Sequence, residues 1–133
     1  MSSNKSPVQI YAIFHMNLAF SSIPTEDHAR VVHDCYWPLL RLIEQHGIPL
    51  GLELTAYTLD CIDAVDPFWI SRFRDLLNRK YCELIASGDS QIIGPLIPEE
   101  VNRQNLRLGL QRYRSLLGVV PRLAYINEQA VLS

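Results

Sequence analysis

The chain has 133 residues, 48% of them hydrophobic and 20% charged, with a formal net charge of −2. That suffices for one modest domain with its own core, and so small a charge provides no field to gather nucleic acid or an anionic membrane. The cysteines, Cys35, Cys61 and Cys82, form no CxxC pair, which argues against a disulfide framework and for a reducing compartment, with cytoplasm as the default.

Each cysteine lies among apolar neighbours and reads as a small buried hydrophobe. Residues 1–7 are polar, lack the apolar core of a signal peptide, and are expected to be disordered. No apolar run is long enough to span a membrane. Basic residues cluster at Arg72, Arg74, Arg79 and Lys80, and again at Arg103, Arg107, Arg112 and Arg114. Both groups fall on expected helices beside acids, the pattern of a solvated face rather than a binding stripe.

Residues 8–14 (VQIYAIF) form a β-branched and aromatic run, near-continuously apolar, as a strand buried on both faces reads. His15 follows at its C-terminal end, and Ser21, Ser22 and Pro24 break the loop beyond it. Thr25 is a candidate N-cap with Glu26 and Asp27 in the first turn. Over 27–46 the apolar positions Val31, Val32, Cys35, Leu39, Leu42 and Ile43 recur at helical spacing. Pro38 predicts a kink or restart near Trp37, and Gly47 a left-handed cap.

Residues 48–55 (IPLGLELT) are the second strand, with Glu53 inside it. A short helix over 57–64 follows. A longer one has Pro67 at its first position and an apolar face of Phe68, Trp69, Phe73, Leu76 and Leu77. The third strand is 81–86 (YCELIA), with Glu83 inside, and 87–90 is a loop. Gly94 and two prolines make 92–98 an irregular turn. A helix over 98–117 presents Val101, Leu106, Leu108, Leu110, Tyr113 and Leu116 inward, and Gly118 caps it. The fourth strand, 122–126, leads to Glu128. The order β, α, β, α, β, α, β implies an α/β fold of parallel βαβ units with right-handed crossovers.

In such a fold the C-terminal strand ends converge on one face. His15 with Asn17, Glu53, Glu83 with Asp89, and Glu128 all read as lying at or near those ends. His15 can orient a substrate hydroxyl or simply bond a backbone carbonyl. Only one strong ligand occurs in His-Met-Asn, too few for a metal. Glu53 and Glu83 are acids in apolar runs, and such carboxylates need donors or a partner cation; for Glu53 an arginine partner or an outward position is favoured. Glu128 has the best claim to chemistry, as a nucleophile at an anomeric carbon or as a base, against a capping role. No phosphate loop, HExxH or GxSxG motif is present.

Taken in order, IFHMNLAF, CYWPLLRLIEQHGIPLGLELT, YCELIASGDSQIIGPLIP and GVVPRLAYINEQAV resemble the N-terminal part of glycoside hydrolase family 57, the amylase, branching-enzyme and glucanotransferase family. The resemblance runs from about Val8 to the end. It implies the first four strands of an incomplete (β/α)7 barrel, an oligo- or polysaccharide substrate of the α-glucan type, a retaining mechanism, and no metal or organic cofactor. It maps Glu128 to the nucleophile, His15, Glu83 and Tyr125 to the motifs around the substrate, and Asn17 to the first motif. Met16 stands where the family usually has a second His or a Gln, and Tyr125 where a Trp is common.

Retaining chemistry needs two carboxyls about 5–5.5 Å apart, and the resemblance places the general acid on a later strand, past residue 133. Asp89 is a stand-in on position alone. The chain is therefore expected to be a single domain, 1–133. It would be the truncated N-terminal half of such a barrel, weakly active or inactive alone, and self-associating through its open edge. A non-catalytic carbohydrate-binding or interaction module on the same scaffold is the alternative. A deacetylase-like metal enzyme ranks last, for want of a His/Asp ligand set.

Overall fold

The structure, a computed structural model, describes residues 8–131; residues 1–7, expected to be disordered, and 132–133 lie outside the described part. Four strands form one parallel sheet: β1 (Ala12–His15), β2 (Leu50–Leu54), β3 (Cys82–Ala86) and β4 (Leu123–Ala124). Their spatial order is their chain order, β1-β2-β3-β4. Each crossover therefore moves one strand the same way. Right-handed connections of that kind stack all the helices on one face, as in successive staves of a βα barrel.

Strand alternation explains the two faces. Leu50, Leu52 and Leu54 of β2, with Cys82, Leu84 and Ala86 of β3, turn toward the helices and join one core cluster. Gly51 and Glu53, and Glu83 and Ile85, take the opposite face. Ile85 is buried yet stands outside the helix-side cluster.

The first helical stretch begins with a turn at Thr25–Asp27 and runs through α1 (His28–Val31), a π turn (Val32–Tyr36) and α2 (Trp37–His46). The kink expected at Pro38 takes the form of that π turn. The Trp37 N–H donates to Val32 O, five residues back, which widens the helix where the proline ring would otherwise strike the carbonyl one turn before it. Gly47 ends α2 at φ 61°, the left-handed cap its sequence predicts.

Helix α3 (Ala56–Val65) starts on Thr55, whose hydroxyl accepts from the Thr58 N–H at 3.1 Å. Asp66 caps α4 (Pro67–Asn78) by accepting from the Trp69 N–H, and its other oxygen accepts from Trp37 Nε1 at 2.7 Å. One residue thus starts a helix and ties it to the preceding layer. Trp69, Ile70, Phe73 and Leu76 of α4 are buried; Phe68, assigned to that face from its spacing, is 78% exposed.

Helix α5 (Glu99–Leu117) differs more from expectation. Only Gly109, Tyr113 and Leu117 are buried, one narrow stripe at intervals of four, while Val101, Leu106, Leu108 and Leu110 are exposed. The helix packs on α3 and α4, with Leu116 partly buried beside that stripe. Of the others expected inward from periodicity, Leu106 and Leu110 lie beside Leu123 and Ala124 of β4, and Val101 and Leu108 beside Asp89, Ser90 and Ile92.

The basic clusters are taken up locally. Arg72 pairs with Glu44 and Asp75, Arg112 with Asp60 and Asp89, and Arg103 with Glu99 and Glu100. Arg74 donates to Leu116 O and so caps the C-terminus of α5. The cysteines divide by position: Cys35 is exposed, Cys61 partly buried and Cys82 buried. The expectation of burial fails for Cys35 because the helix turns it outward. Burial pushes the Cys82 thiol up to about 12, so it stays protonated and inert.

Strand β1 corrects a further expectation. Its apolar run predicts burial on both faces, but Ile13 and Phe14 are substantially exposed and Ile10 is 91% exposed. As an edge strand it lacks neighbours on one side, and the face opposite the helices has no second layer among the described residues. Across the described chain no helix is long and apolar enough to cross a membrane.

Candidate active site

Register brings the site together. His15 lies opposite Glu53, Glu53 opposite Ile85, and Ile85 opposite Leu123. This row crosses the C-terminal end of the sheet on the face away from the helices. His15 Nδ1 contacts Glu53 Oε2 directly. Glu53 is 1% exposed, and its other oxygen, Oε1, is buried without a hydrogen-bond partner. The Met16 N–H donates to Glu53 O at 2.8 Å, continuing the β1–β2 ladder just past the strand. The Met16 side chain, at the second position of the His-Met-Asn motif, turns into the core.

The loops after the strands extend the cluster. Asn17 Nδ2 donates to Gln91 Oε1 at 2.6 Å and to Phe20 O at 3.1 Å, and its Oδ1 accepts from the Phe20 N–H. The Tyr125 N–H donates to Ala86 O at 2.7 Å, which extends β4 beyond its two formal residues. The Tyr125 ring centroid lies 6.4 Å from that of His15. Asn127 is buried, with Nδ2 donating to Ile92 O at 3.2 Å and Oδ1 left without a partner. The buried Ser87 hydroxyl likewise has no partner. Orphaned buried polar atoms are uncommon in folded proteins, and those of Glu53, Ser87 and Asn127 lie at or just past the C-terminal ends of β2, β3 and β4.

Glu128 follows β4 in a 3-10 turn, Asn127–Gln129, and is exposed. Its φ is 56° and that of Gln129 is 50°. Left-handed backbone is unfavourable for a residue with a long side chain, and such strain collects at functional sites.

Two positions depart from the sequence reading. Glu83 is the second residue of β3, opposite Gly51, which is opposite Ile13. It therefore sits two residues, or about 6.6 Å, nearer the N-terminal end than the His15–Glu53 row. There the Tyr11 hydroxyl donates to its Oε2 at 3.4 Å. Tyr11 reaches it by crossing Gly51, where a Cβ would come within 2.8 Å of the tyrosine oxygen. An acid inside an apolar run gives its face by alternation but not its height, because height depends on where the strand begins.

Asp89 is the other. Arg112 Nε stands 3.2 Å from its Oδ1, and its backbone oxygen accepts from the Tyr57 N–H at the start of α3. It belongs to the seam between sheet and helices. Conversely, Glu53 enters the site although an arginine partner or an outward position was favoured for it. The signal was the alternation in LGLEL, which sets Glu53 opposite to three leucines. Gln91, Ser87 and Asn127 were missed, since nothing local marks a loop amide or hydroxyl as convergent.

The loop carrying Ser87 and Gln91 is held by helix α5. Asn105 accepts from the Ser90 N–H at 2.7 Å and donates to Ser90 O at 3.1 Å. Gly109 lets the helix approach so closely that a Cβ there would meet Gly88 C at 2.6 Å and Asp89 N at 2.8 Å. Gly88 itself turns at φ 87°. Among the described residues no three of His, Cys, Asp and Glu gather as ligands for a metal ion.

A parallel sheet wound in one direction, with an imidazole, carboxylates and amides gathered at its C-terminal end, is the arrangement of barrel-type α/β enzymes that build sites on strand ends. The chain belongs to glycosyl hydrolase family 57, whose model matches residues 9–132. Its fold is similar to the crystal structure of 4-alpha-glucanotransferase from Thermococcus litoralis, with a TM-score of 0.77 and 18% sequence identity. That likeness covers 92% of this chain and 20% of the other, so the chain spans about a fifth of that protein's length. No curated protein matches the chain.

Proposed function

We propose that this chain is the glucan-side part of a retaining glycoside hydrolase or glucanotransferase. In this reading Glu128 is the nucleophile, and His15, Asn17 and Tyr125 contact the sugar. Family membership supports carbohydrate chemistry, and the similar fold of a glucanotransferase supports α-glucan as the substrate class. The observation that carries the reading is the backbone of Glu128, held at φ 56° directly after β4, on the sheet end where His15, Glu53 and Tyr125 meet.

The chemistry follows from the carboxylate. A Glu128 oxygen attacks the anomeric carbon, the bond to the leaving oxygen breaks, and a glycosyl ester forms with inverted configuration. Water or a sugar hydroxyl then displaces the ester, restoring the original configuration. The leaving oxygen needs a proton from a second carboxyl. Glu83 lies two residues below the His15–Glu53 row and Asp89 pairs with Arg112 in the seam with the helices, so neither is offered for that role. The 133-residue chain is accordingly expected to release no measurable reducing sugar from maltooligosaccharide.

A fluoride leaving group needs no such proton. Incubation with 5-fluoro-α-glucosyl fluoride is therefore expected to add one glycosyl residue to Glu128, located by peptide mass spectrometry, and none to Glu128→Gln. Absence of label on the native chain would remove the nucleophile assignment. Glucan binding without labelling would favour the carbohydrate-binding alternative.

Self-association belongs to the same proposal. Ile10, Ile13, Leu106, Leu110, Leu123 and Ile126 are exposed, and among the described residues no strand pairs with the outer edge of β4. Contiguous apolar surface and unpaired strands favour association. Light scattering is expected to give a mass that rises with concentration; a monodisperse monomer throughout the range would count against it.

A further inference from the structure

We infer that Glu53 is a positioning residue for His15, fixing which imidazole nitrogen faces the ligand. The role of His15 toward sugar rests on the function proposed above; the pairing itself does not.

Glu53 is almost completely buried on the sheet face away from the helices. A carboxylate there needs a donor, because burying it unpaired is strongly unfavourable. Among the described residues its side chain is hydrogen-bonded by His15 Nδ1 alone, and its second oxygen has no partner. The contact joins directly opposed residues of adjacent parallel strands, so both backbones are held by the ladder. The Met16 N–H donating to Glu53 O locks the same pair from the other side.

The consequence is a choice of tautomer. A carboxylate only accepts, so Nδ1 must carry the hydrogen. Free imidazole side chains favour the hydrogen on Nε2, and the buried carboxylate reverses that preference. In the neutral ring Nε2 is then the acceptor, on a side chain that is 48% exposed, available to a hydroxyl donor such as a sugar. Glu53 does not touch the ligand in this scheme. It sets the orientation of the group that does, as buried carboxylates do behind other functional histidines.

The test is nitrogen-15 NMR of the His15 ring, with calorimetric titration of maltopentaose. The native chain is expected to show a slowly exchanging Nδ1–H and an unprotonated Nε2. Glu53→Gln keeps shape and volume but can present an N–H to the ring, and is expected to shift His15 toward the Nε2–H form. Maltopentaose affinity is expected to fall about tenfold or more with an unchanged unfolding midpoint. Glu53→Asp retains an acceptor and is expected to recover part of the Nδ1–H signal if the shorter arm reaches.

An Nε2–H ring in the native chain would overturn the inference, as would a Glu53→Gln variant with native tautomer and affinity. If Nδ1–H is present and lost in Glu53→Gln, but the native chain binds no maltopentaose, the positioning stands and the glucan reading falls.

Discussion

Replacing Trp69 with alanine is expected to destabilise the chain by about 3–5 kcal/mol, the range for deleting a large aromatic from a packed core. Trp69 is fully buried on α4. Its ring lies 5.0 Å from Phe73 and 6.3 Å from Tyr36, both tilted, so it bridges α4 to the π turn before α2. Tilted pairs at such separations add to area burial. The indole Nε1, however, is buried without a partner.

That orphan separates two substitutions. Trp69→Phe gives up some volume but also removes an unpaired donor, whose burial costs about 1–3 kcal/mol. It is expected to cost far less than Trp69→Ala. Urea unfolding of the three proteins at equal concentration reads the difference as a change in midpoint at constant slope. A phenylalanine variant as unstable as the alanine variant would mean that the indole N–H makes a bond the protein needs, and would overturn the reading of Nε1 as an unpaired donor.

Tyr113→Phe is expected to cost about 1–3 kcal/mol, although it removes a single oxygen. The hydroxyl donates to Leu54 O at 2.6 Å, has Gly88 O at 3.0 Å, and accepts from the Ser87 N–H at 3.2 Å. It thus ties the C-terminal ends of β2 and β3 to the loop that carries Ser87 and Gln91. Burial drives its pKa well above the usual tyrosine range, so at neutral pH the group remains a donor. Phenylalanine leaves the Ser87 N–H and Leu54 O in an apolar interior with nothing to replace them. Hydrogen exchange should register the loss first at Ser87, Gly88 and Asp89. Protection unchanged there would show that the loop is held by Asn105 and not by the tyrosine.

The two residues illustrate different reaches of local sequence. The apolar spacing of α4 places Trp69 on an inward face, and the structure agrees. It also places Phe68 there, which the structure does not, because the width of a buried stripe depends on what packs against it. The same limit governs α5, where six residues read as inward and only Tyr113 of them is fully buried. Periodicity reports which residues share a side of a helix. The neighbours decide how much of that side is covered, and the residues of α5 that are fully buried are Gly109, Tyr113 and Leu117.

Caps and breaks are more secure, because their causes act within a few residues, with one exception: Thr25, expected as an N-cap, lies inside the first turn, and no side chain caps that turn or α1. Gly47 and Gly118 take left-handed backbone at φ 61° and 69°, where a side chain would be strained. Asp66 before Pro67 caps α4, and Pro38 draws a π turn into the first helical stretch.

The sequence by itself determined the parallel α/β order, the faces of the strands through their two-residue alternation, and the helix ends. It also marked His15 and Glu128 as strand-end groups and carried the likeness to the family. Each of these rests on periodicity, on backbone preference or on short motifs, all of which are local. Only the tertiary structure decided height and partnership. Strand register set His15 beside Glu53 and lowered Glu83 to the other end beside Tyr11. Loop packing against α5 brought Gln91 to Asn17 and turned Asp89 toward Arg112. These are contacts between residues 23 to 74 positions apart, fixed by where each strand begins and how closely Gly109 lets a helix approach.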